Sequence, residues 1–332
     1  MPQYLLDTLY LKKMEYYKNK KILIAGGSGL VGTNLFLRLI KLSKNVTASY
    51  FSKIQIKKYK KFYKKYDFTK KKDCLKATKN KEIVFITAVN ASGILNMKKN
   101  FFDNINENFL IRSNLLESCV INKVKKVMWV SSSTVYQPYY KPITEKQLDL
   151  RFNPYEIYLG NGWLYRYLEK LFEFYSKNTK LDIKILRTSS IYGPYDNFNT
   201  NKSHVVPAII KKSLDNKKNL EAWGDPYVVR DFVYVKDLVE AMLLVMTKKN
   251  FKILNFSYGK GCSIKNLVKL ILKVTNKNKK VIFRYKNRSS AKYRVLNNIK
   301  FNQVIKNISR TSLLDGLIQT CKWYKKNKIN FS

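Results

Sequence analysis

Histidine is almost missing from this chain: His204 is the only one in 332 residues. A single imidazole excludes a histidine-based metal cluster. Cysteine is scarce too. Cys74, Cys119, Cys262 and Cys321 lie far apart with no Cys-x-x-Cys, which argues against a close-spaced thiolate metal site or a disulfide framework. A reducing cytoplasm and no structural metal are expected. No run approaches the roughly 20 uninterrupted apolar residues of a membrane span. The start, with Asp7 set among Leu5, Leu6 and Leu11, makes a poor signal peptide.

Acidic residues are the third scarcity: 22 Asp and Glu face 65 Lys and Arg, a formal net charge of +43. Such an excess ordinarily points to nucleic acid or an anionic membrane. Here the basic residues are spread over both halves. They come with abundant Asn, Ile, Tyr and Phe, the bias of an AT-rich coding sequence, so neither partner is expected. Residues Lys57 to Tyr66 are the one concentration, with aromatics interleaved as on a nucleic-acid surface. A solvated amphipathic helix is the expectation there. The overall charge would still draw in phosphorylated small molecules.

Hydrophobic residues make up 45% of the chain, ample for a core in one large or two modest domains. Residues 1–20 form a Lys- and Tyr-rich extension whose Leu5, Leu6, Leu9 and Met14 suit one helical face that docks on the body or on a partner. A first strand is predicted over Lys21 to Ala25, followed by glycines and then a helical pattern at Leu35, Leu37, Leu39 and Ile40. Further strands are predicted at Val46 to Tyr50, Ile83 to Ala88, Lys126 to Ser131 and Ile183 to Arg187, with helical patterns between them. Such alternation builds a doubly wound parallel sheet of the Rossmann type. Asn153-Pro154-Tyr155-Glu156 reads as a cap opening a long helix towards Tyr175. The division predicted is a dinucleotide domain over 21–187 and a smaller α/β substrate domain over 188–332, with substrate in the cleft between. No internal repeat or disordered linker is evident.

In Gly26-x-x-Gly29-x-x-Gly32 the first glycine permits a tight turn, the second lets backbone approach a pyrophosphate, and the third lets helix and strand pack closely. Ser28, Leu30 and Val31 complete the loop, whose helix N-terminus would face the phosphates. About 20 residues on, an acid would hold the ribose of NAD. This chain has Ser49-Tyr50-Phe51-Ser52-Lys53 instead. Hydroxyls and Lys53 can take a 2′-phosphate, so NADP is favoured over NAD. Asp67-Phe68 is placed to meet the adenine, or serves as an ordinary turn.

The stretch from Arg187 to Asp237 is the densest in chemistry. It holds Tyr192-Gly193-Pro194-Tyr195-Asp196-Asn197-Phe198, Ser203-His204-Val205-Val206-Pro207, and Trp223 seven residues before Arg230. One imidazole, an aromatic wall and a guanidinium suit an anionic substrate with a carbonyl or carbon acid to be worked on.

With the glycine loop, Ser131-Ser132-Ser133-Thr134-Val135-Tyr136, Tyr192-Gly193-Pro194 and Arg230-Asp231-Phe232 in order, the chain resembles the extended short-chain dehydrogenase/reductases that act on nucleotide sugars. The resemblance runs from about Lys21 to Tyr324. Within that group it looks most like the GDP-L-fucose synthases, on the Gly193 to Phe198 and Ser203 to Ala208 runs, Trp223 through Arg230, and Asn108 with Asn114. The resemblance implies a homodimer and a GDP-sugar or related nucleotide-diphosphate sugar. It makes Ser132 the partner of the sugar carbonyl and His204 an acid/base at the neighbouring carbon. Lys212 would meet the diphosphate, and Trp223, Arg230, Asn197 and Val205 would line the substrate pocket. Ala88, Ser190 and Ile191 would flank the cofactor. It also implies that a strand near 232–235 returns to the first domain.

Two departures stand out. The family's Tyr-x-x-x-Lys, which passes a proton to the carbonyl oxygen and holds the nicotinamide ribose, falls on Asn161 and Tyr165. Thr134 falls where a cysteine partners the histidine, and a threonine hydroxyl is far too weak an acid for that task. Tyr165 lies one turn, about 6 Å, beyond the family tyrosine's place. Two readings stay open: an epimerase or reductase with a relay rebuilt through Ser132, water and Tyr165, or a silent relative that binds cofactor and sugar nucleotide as a partner subunit.

Overall fold

A computed structural model describes residues 11–90, 101–199, 203–284, 291–306 and 308–327. Seven parallel strands form the large sheet. In chain order they are β1 (Ile22–Ala25), β2 (Val46–Tyr50), β3 (Tyr63–Lys65), β4 (Ile83–Ile86), β5 (Lys126–Ser132), β6 (Asp182–Thr188) and, after an excursion, β10 (Lys252–Phe256). Their spatial order is β10-β6-β5-β4-β1-β2-β3, so the direction of winding reverses beside β1, where a doubly wound sheet opens its ligand crevice. Strands β1 and β4 are buried at every residue, as strands covered on both faces must be. Helices α1 (Leu30–Leu39), α2 (Lys71–Thr78), α3 (Phe101–Ile121) and α4 (Leu159–Asn178) supply the crossovers.

After β6 the chain builds a smaller unit from β7 (Ser190–Tyr192), α5 (Val205–Ser213), β8 (Asn219–Trp223) and β9 (Val229–Tyr234). Helix α6 (Val235–Met246) then leads to β10. The later elements are β11 (Gly261–Ser263), α7 (Ile264–Thr275), β12 (Lys280–Arg284), β13 (Tyr293–Arg294), α8 (Ile299–Val304) and α9 (Leu313–Asn327). Strand β9 is flanked by β11 and β13 and also pairs with β7, while β8 pairs with β12.

Three local expectations are corrected. The element returning to the large sheet is not at 232–235: Phe232, Val233 and Tyr234 pair with Ser190, Ile191 and Tyr192 in the small sheet. Helix α6, apolar on nearly every side, instead packs beside α1, where Arg38 and Glu240 form a 2.7 Å ion pair, and β10 then pairs with β6. Residues Lys57 to Tyr66 form no amphipathic α-helix. They are a 3-10 turn over Lys57–Phe62 followed by β3, because Tyr59, Phe62 and Tyr63 all pack on Phe36 and the chain must extend to place them. Lys64 and Lys65 then point outwards on an edge strand, where lysine blocks further pairing. Helix α4 opens at Leu159, with a 3-10 turn over Glu156–Tyr158 before it. Asn153 does not cap it, since its side-chain oxygen accepts from Trp163 Nε1 at 3.0 Å, and Pro154 lies against Gly162.

Residues 11–20 of the N-terminal extension dock on the body. Residues 11–15 are helical, Met14 and Tyr17 are buried, and the Tyr17 hydroxyl donates to the Leu243 carbonyl at 2.6 Å. Leu5, Leu6 and Leu9 lie outside the described residues.

One charged group sits in the middle of this packing. Glu169 of α4 accepts two-pronged hydrogen bonds from Arg187 of β6, the shortest at 2.6 Å, and another from Ser131 of β5 at 2.6 Å. Arg187 also donates to Tyr136 Oη, and that hydroxyl donates to Asn255 of β10. Removing one partner leaves an unpaired buried charge, which typically costs about 3–5 kcal/mol. Glu169→Ala should lower the urea-unfolding free energy by that amount, while Lys170→Ala, next to it but exposed, should change it by no more than about 0.5 kcal/mol.

Candidate active site

The glycine loop lies between β1 and α1 and is rigidly built. Gly26 has φ +91°, and a Cβ there would meet the backbone nitrogen of Ala88 at 2.4 Å. A Cβ on Gly32 would sit 2.0 Å from the Gly26 carbonyl oxygen. These two are packing constraints. Gly29 differs: a Cβ there meets nothing nearer than 3.5 Å, and the residue is exposed at the helix N-terminus with no side chain capping it. Ser28, Leu30 and Val31 border this open face and are half-buried. The Gly26 N–H donates to Ser49 Oγ at 2.7 Å, and Tyr63 Oη and Thr33 Oγ1 both donate to the Gly27 carbonyl. Ser49 therefore braces the loop rather than facing a ribose. Lys53 is exposed in the segment after β2, where no acid stands.

The Asp67-Phe68 pair opens a turn after β3. Asp67 Oδ1 accepts from the Thr69 hydroxyl and amide, and Phe68 is buried and stacked on Tyr66. Ala88 follows β4 against the loop, and Ser190 and Ile191 are half-buried in β7. The two halves are stitched together where Asn34 of α1 donates to the Pro194 carbonyl at 2.9 Å.

At the end of β5, Ser132 Oγ accepts from the Thr134 amide at 3.2 Å, and the Thr134 carbonyl faces Gly162 in the first turn of α4. Asn161 precedes that glycine and is half-buried. Tyr165, one turn on, accepts from Arg112 Nη2 at 3.0 Å and packs near Trp129. Arg112 is fully buried on α3, and its other terminal nitrogen donates to the Asn108 carbonyl and side chain. A guanidinium thus lies beside the residue that replaces the family lysine. Nothing in the local sequence pattern signals Arg112, which reaches Tyr165 across 53 positions.

His204 is the N-cap residue of α5 but makes no side-chain cap bond. The residue as a whole is exposed, while protein atoms crowd its ring. That crowding first, and Arg294 second, hold its pKa below the ordinary imidazole range. Val205 follows it, half-buried. Asn197 is exposed and closes its own turn by accepting from the Asn199 amide. Trp223 is 63% exposed, with the Lys212 ammonium 5.8 Å from its ring. Lys212 also donates to the Glu221 carbonyl, and its pKa is lowered by burial.

Arg230 and Arg294 are register partners on β9 and β13, and only 7% and 8% of each is exposed. Among the described residues neither forms an ion pair. Arg230 donates to the Val229 and Ala291 carbonyls, and burial with Arg294 alongside lowers its pKa to about 10. Arg294 Nε is buried without a partner. The charges face phenols instead: Tyr158 meets both, and Tyr155 and Tyr139 lie near Arg230. Two adjacent guanidiniums with no carboxylate form a place for a multiply charged anion. Arg230 was expected here. Arg294 and Tyr158 were not, because they meet across 136 positions and only the fold joins them.

A parallel sheet with a glycine loop at its winding reversal, joined to a second unit that carries two adjacent buried arginines, defines a dinucleotide-binding protein of the Rossmann class. Residues 22–256 match the NAD dependent epimerase/dehydratase family, and the chain belongs to that family. It is 26% identical to GDP-L-fucose synthase of Escherichia coli K12 over 268 residues, covering 75% of this chain and 81% of that one. It is 25% identical to GDP-mannose 3,5-epimerase of Arabidopsis thaliana over 276 residues, 80% and 73% of the two chains. Among solved structures it superposes on UDP-glucose 4-epimerase from Thermotoga maritima with a TM-score of 0.82 at 23% identity, covering 92% of this chain and 99% of that one. A GDP-L-fucose synthetase from Naegleria fowleri bound to NADP gives 0.77 at 19% identity, with 94% of each chain covered. A nicotinamide cofactor suits the open loop at Gly29. Among the described residues no helix is long and apolar enough to cross a membrane, and no group of three or more His, Cys, Asp or Glu is placed to hold a metal ion.

Two predictions follow from this geometry. Gly29→Ala should fold with stability within about 0.5 kcal/mol of the native protein and lose at least about tenfold in NADPH affinity by fluorescence titration, because the methyl group stands where phosphate would approach. Asp196 is buried, with one oxygen on the Asn197 amide and the other without a partner. Burial raises its pKa to about 7. A raised carboxyl favours the fold below its unfolded value of about 4 and loses that contribution as pH rises through about 7. The stability of Asp196→Asn relative to native should therefore climb across that window in urea unfolding; a flat difference would refute it.

Proposed function

We propose that this chain is an NAD(P)-dependent epimerase or reductase of a nucleotide-diphosphate sugar, with a GDP-sugar as first choice and NADP preferred over NAD. The observation that carries the reading is the carboxylate-free, register-paired Arg230 and Arg294, with His204 in the field of Arg294. A diphosphate neutralises two adjacent guanidiniums, and the imidazole is then near the attached sugar. Lys212 and Trp223, 5.8 Å apart, would meet the rest of the nucleotide, and Asn197 and Val205 would line its pocket.

The cofactor, when bound, supplies or accepts hydride at the sugar. The loop at Gly26, Gly29 and Gly32 would hold its pyrophosphate, Lys53 its 2′-phosphate, and Ala88, Ser190 and Ile191 would flank its nicotinamide half. Ser132 would donate to the sugar carbonyl oxygen. His204, kept neutral near physiological pH by its lowered pKa, would take a proton from the carbon beside that carbonyl. The homodimer is carried over from the resemblance, and the cytoplasmic location from the scattered cysteines.

The second reading, a silent binding subunit, is favoured by one observation: Asn161 and Tyr165 stand where the family keeps Tyr and Lys, and Thr134 replaces the cysteine. Loss of a positioned acid typically costs about 10²–10⁴-fold, which still leaves a slow enzyme.

The deciding measurement is NADPH consumption on adding GDP-4-keto-6-deoxymannose, in the native protein and in an Asn161→Tyr, Tyr165→Lys double variant. We expect turnover in the native protein, abolished by His204→Ala. Ligand binding without turnover, restored only in the double variant, would establish the silent form.

A further inference from the structure

Tyr158 is the residue this cleft adds to any relay. It closes the 3-10 turn before α4, one turn ahead of Asn161, and is 9% exposed. The Arg294 guanidinium lies 4.8 Å from its ring centroid, and its hydroxyl faces both Arg294 and Arg230. The other charged or titratable groups around it have been placed. Tyr155, on the same turn, and Tyr139, after β5, bond to each other's backbone or hydroxyl. His204 of α5 faces Arg294. Asp231, next to Arg230 on β9, turns its carboxylate to the Gly259 and Leu296 amides. No carboxylate therefore competes with Tyr158 for the two cations among the described residues.

Resting on the function proposed above, we propose that Tyr158 is the acid that works opposite His204: it protonates the sugar carbonyl oxygen while the imidazole removes the proton from the adjacent carbon. The electrons balance within the sugar. The C–H pair becomes the C=C of an enol, the carbonyl π pair moves to oxygen, and that oxygen takes the Tyr158 proton. Tyrosinate is left between two guanidiniums, and His204 carries the carbon's proton until it is returned. This step needs no hydride. Burial alone would raise the phenol's pKa, but Arg294 and then Arg230 outweigh it and leave the group below the ordinary phenol range. A tyrosine so placed is an acid matched to the task without a neighbouring lysine.

The test is deuterium wash-in to GDP-4-keto-6-deoxymannose in D₂O with no NADPH present, read by mass spectrometry. It is paired with tyrosinate absorbance at 295 nm across alkaline pH, which reads Tyr158 without any turnover. Tyr158→Phe should cut exchange by about 10²-fold or more, leave NADPH binding unchanged, and remove one early-ionising tyrosine from the titration. Arg294→Gln, which keeps the phenol, should move both limbs of the exchange profile to higher pH, because it lowers the pKa values of both His204 and Tyr158 in the native protein. Exchange that persists in Tyr158→Phe overturns the assignment while the proposed function stands. An unchanged 295 nm titration overturns it as well. No exchange in the native protein overturns this step, and if that protein also fails to consume NADPH with the same sugar nucleotide, the proposed function falls with it.

Discussion

The buried ion pair between Glu169 and Arg187 is the constraint on which the arrangement of this protein turns. Both side chains are about 95% or more removed from solvent, so each requires the other. Their geometry fixes the rotation of α4 against β5 and β6, because Glu169 must reach Arg187 and Ser131 together. Asn161 and Tyr165 lie eight and four residues before Glu169, on the same stripe of the helix. The pair that locks the helix therefore also decides that these two side chains face the end of β5. Through Tyr136 and Asn255 the same network reaches β10, the strand that the chain delivers only after building the first strands of the small unit.

A shortage of acids shapes the rest. With 22 acidic residues against 65 basic ones, most buried guanidiniums cannot be given a carboxylate. Arg187 has one. Arg112, Arg230 and Arg294 instead meet carbonyls, amides and phenols. A phenol can accept from a guanidinium and still keep its own proton, so the cation stays uncompensated. In the small unit this leaves the charge of Arg230 and Arg294 without a carboxylate, and it places tyrosines, rather than aspartates or glutamates, next to that charge.

The sequence is informative where chemistry is local. Short apolar runs mark β1, β2, β4, β5 and β6, and the glycine spacing marks the turn between β1 and α1, because each depends on neighbours a few residues away. His204, Trp223 and Arg230 are visible for the same reason: they fall in one short stretch. What escapes is set by distant partners. Lys57 to Tyr66 has a helix-like pattern of lysine and aromatics, yet Phe36 draws three of its rings inwards and the chain extends. Asn153 looks like a helix cap but is taken by Trp163. Arg294 lies in a two-residue strand with no motif of its own, and its importance appears only when β13 aligns beside β9.

A phenol, rather than a carboxylate, between Arg230 and Arg294 also has an electrostatic logic. Two opposite unit charges about 4 Å apart attract by roughly 4 kcal/mol at an effective dielectric of 20. A carboxylate there would neutralise the pair permanently and compete with any incoming diphosphate. A neutral phenol there leaves both cations free to take a dianion. As the phenol gives up its proton to the sugar oxygen, the forming tyrosinate stays beside the two arginines that lower its pKa. The same two cations thus serve anion binding and proton donation.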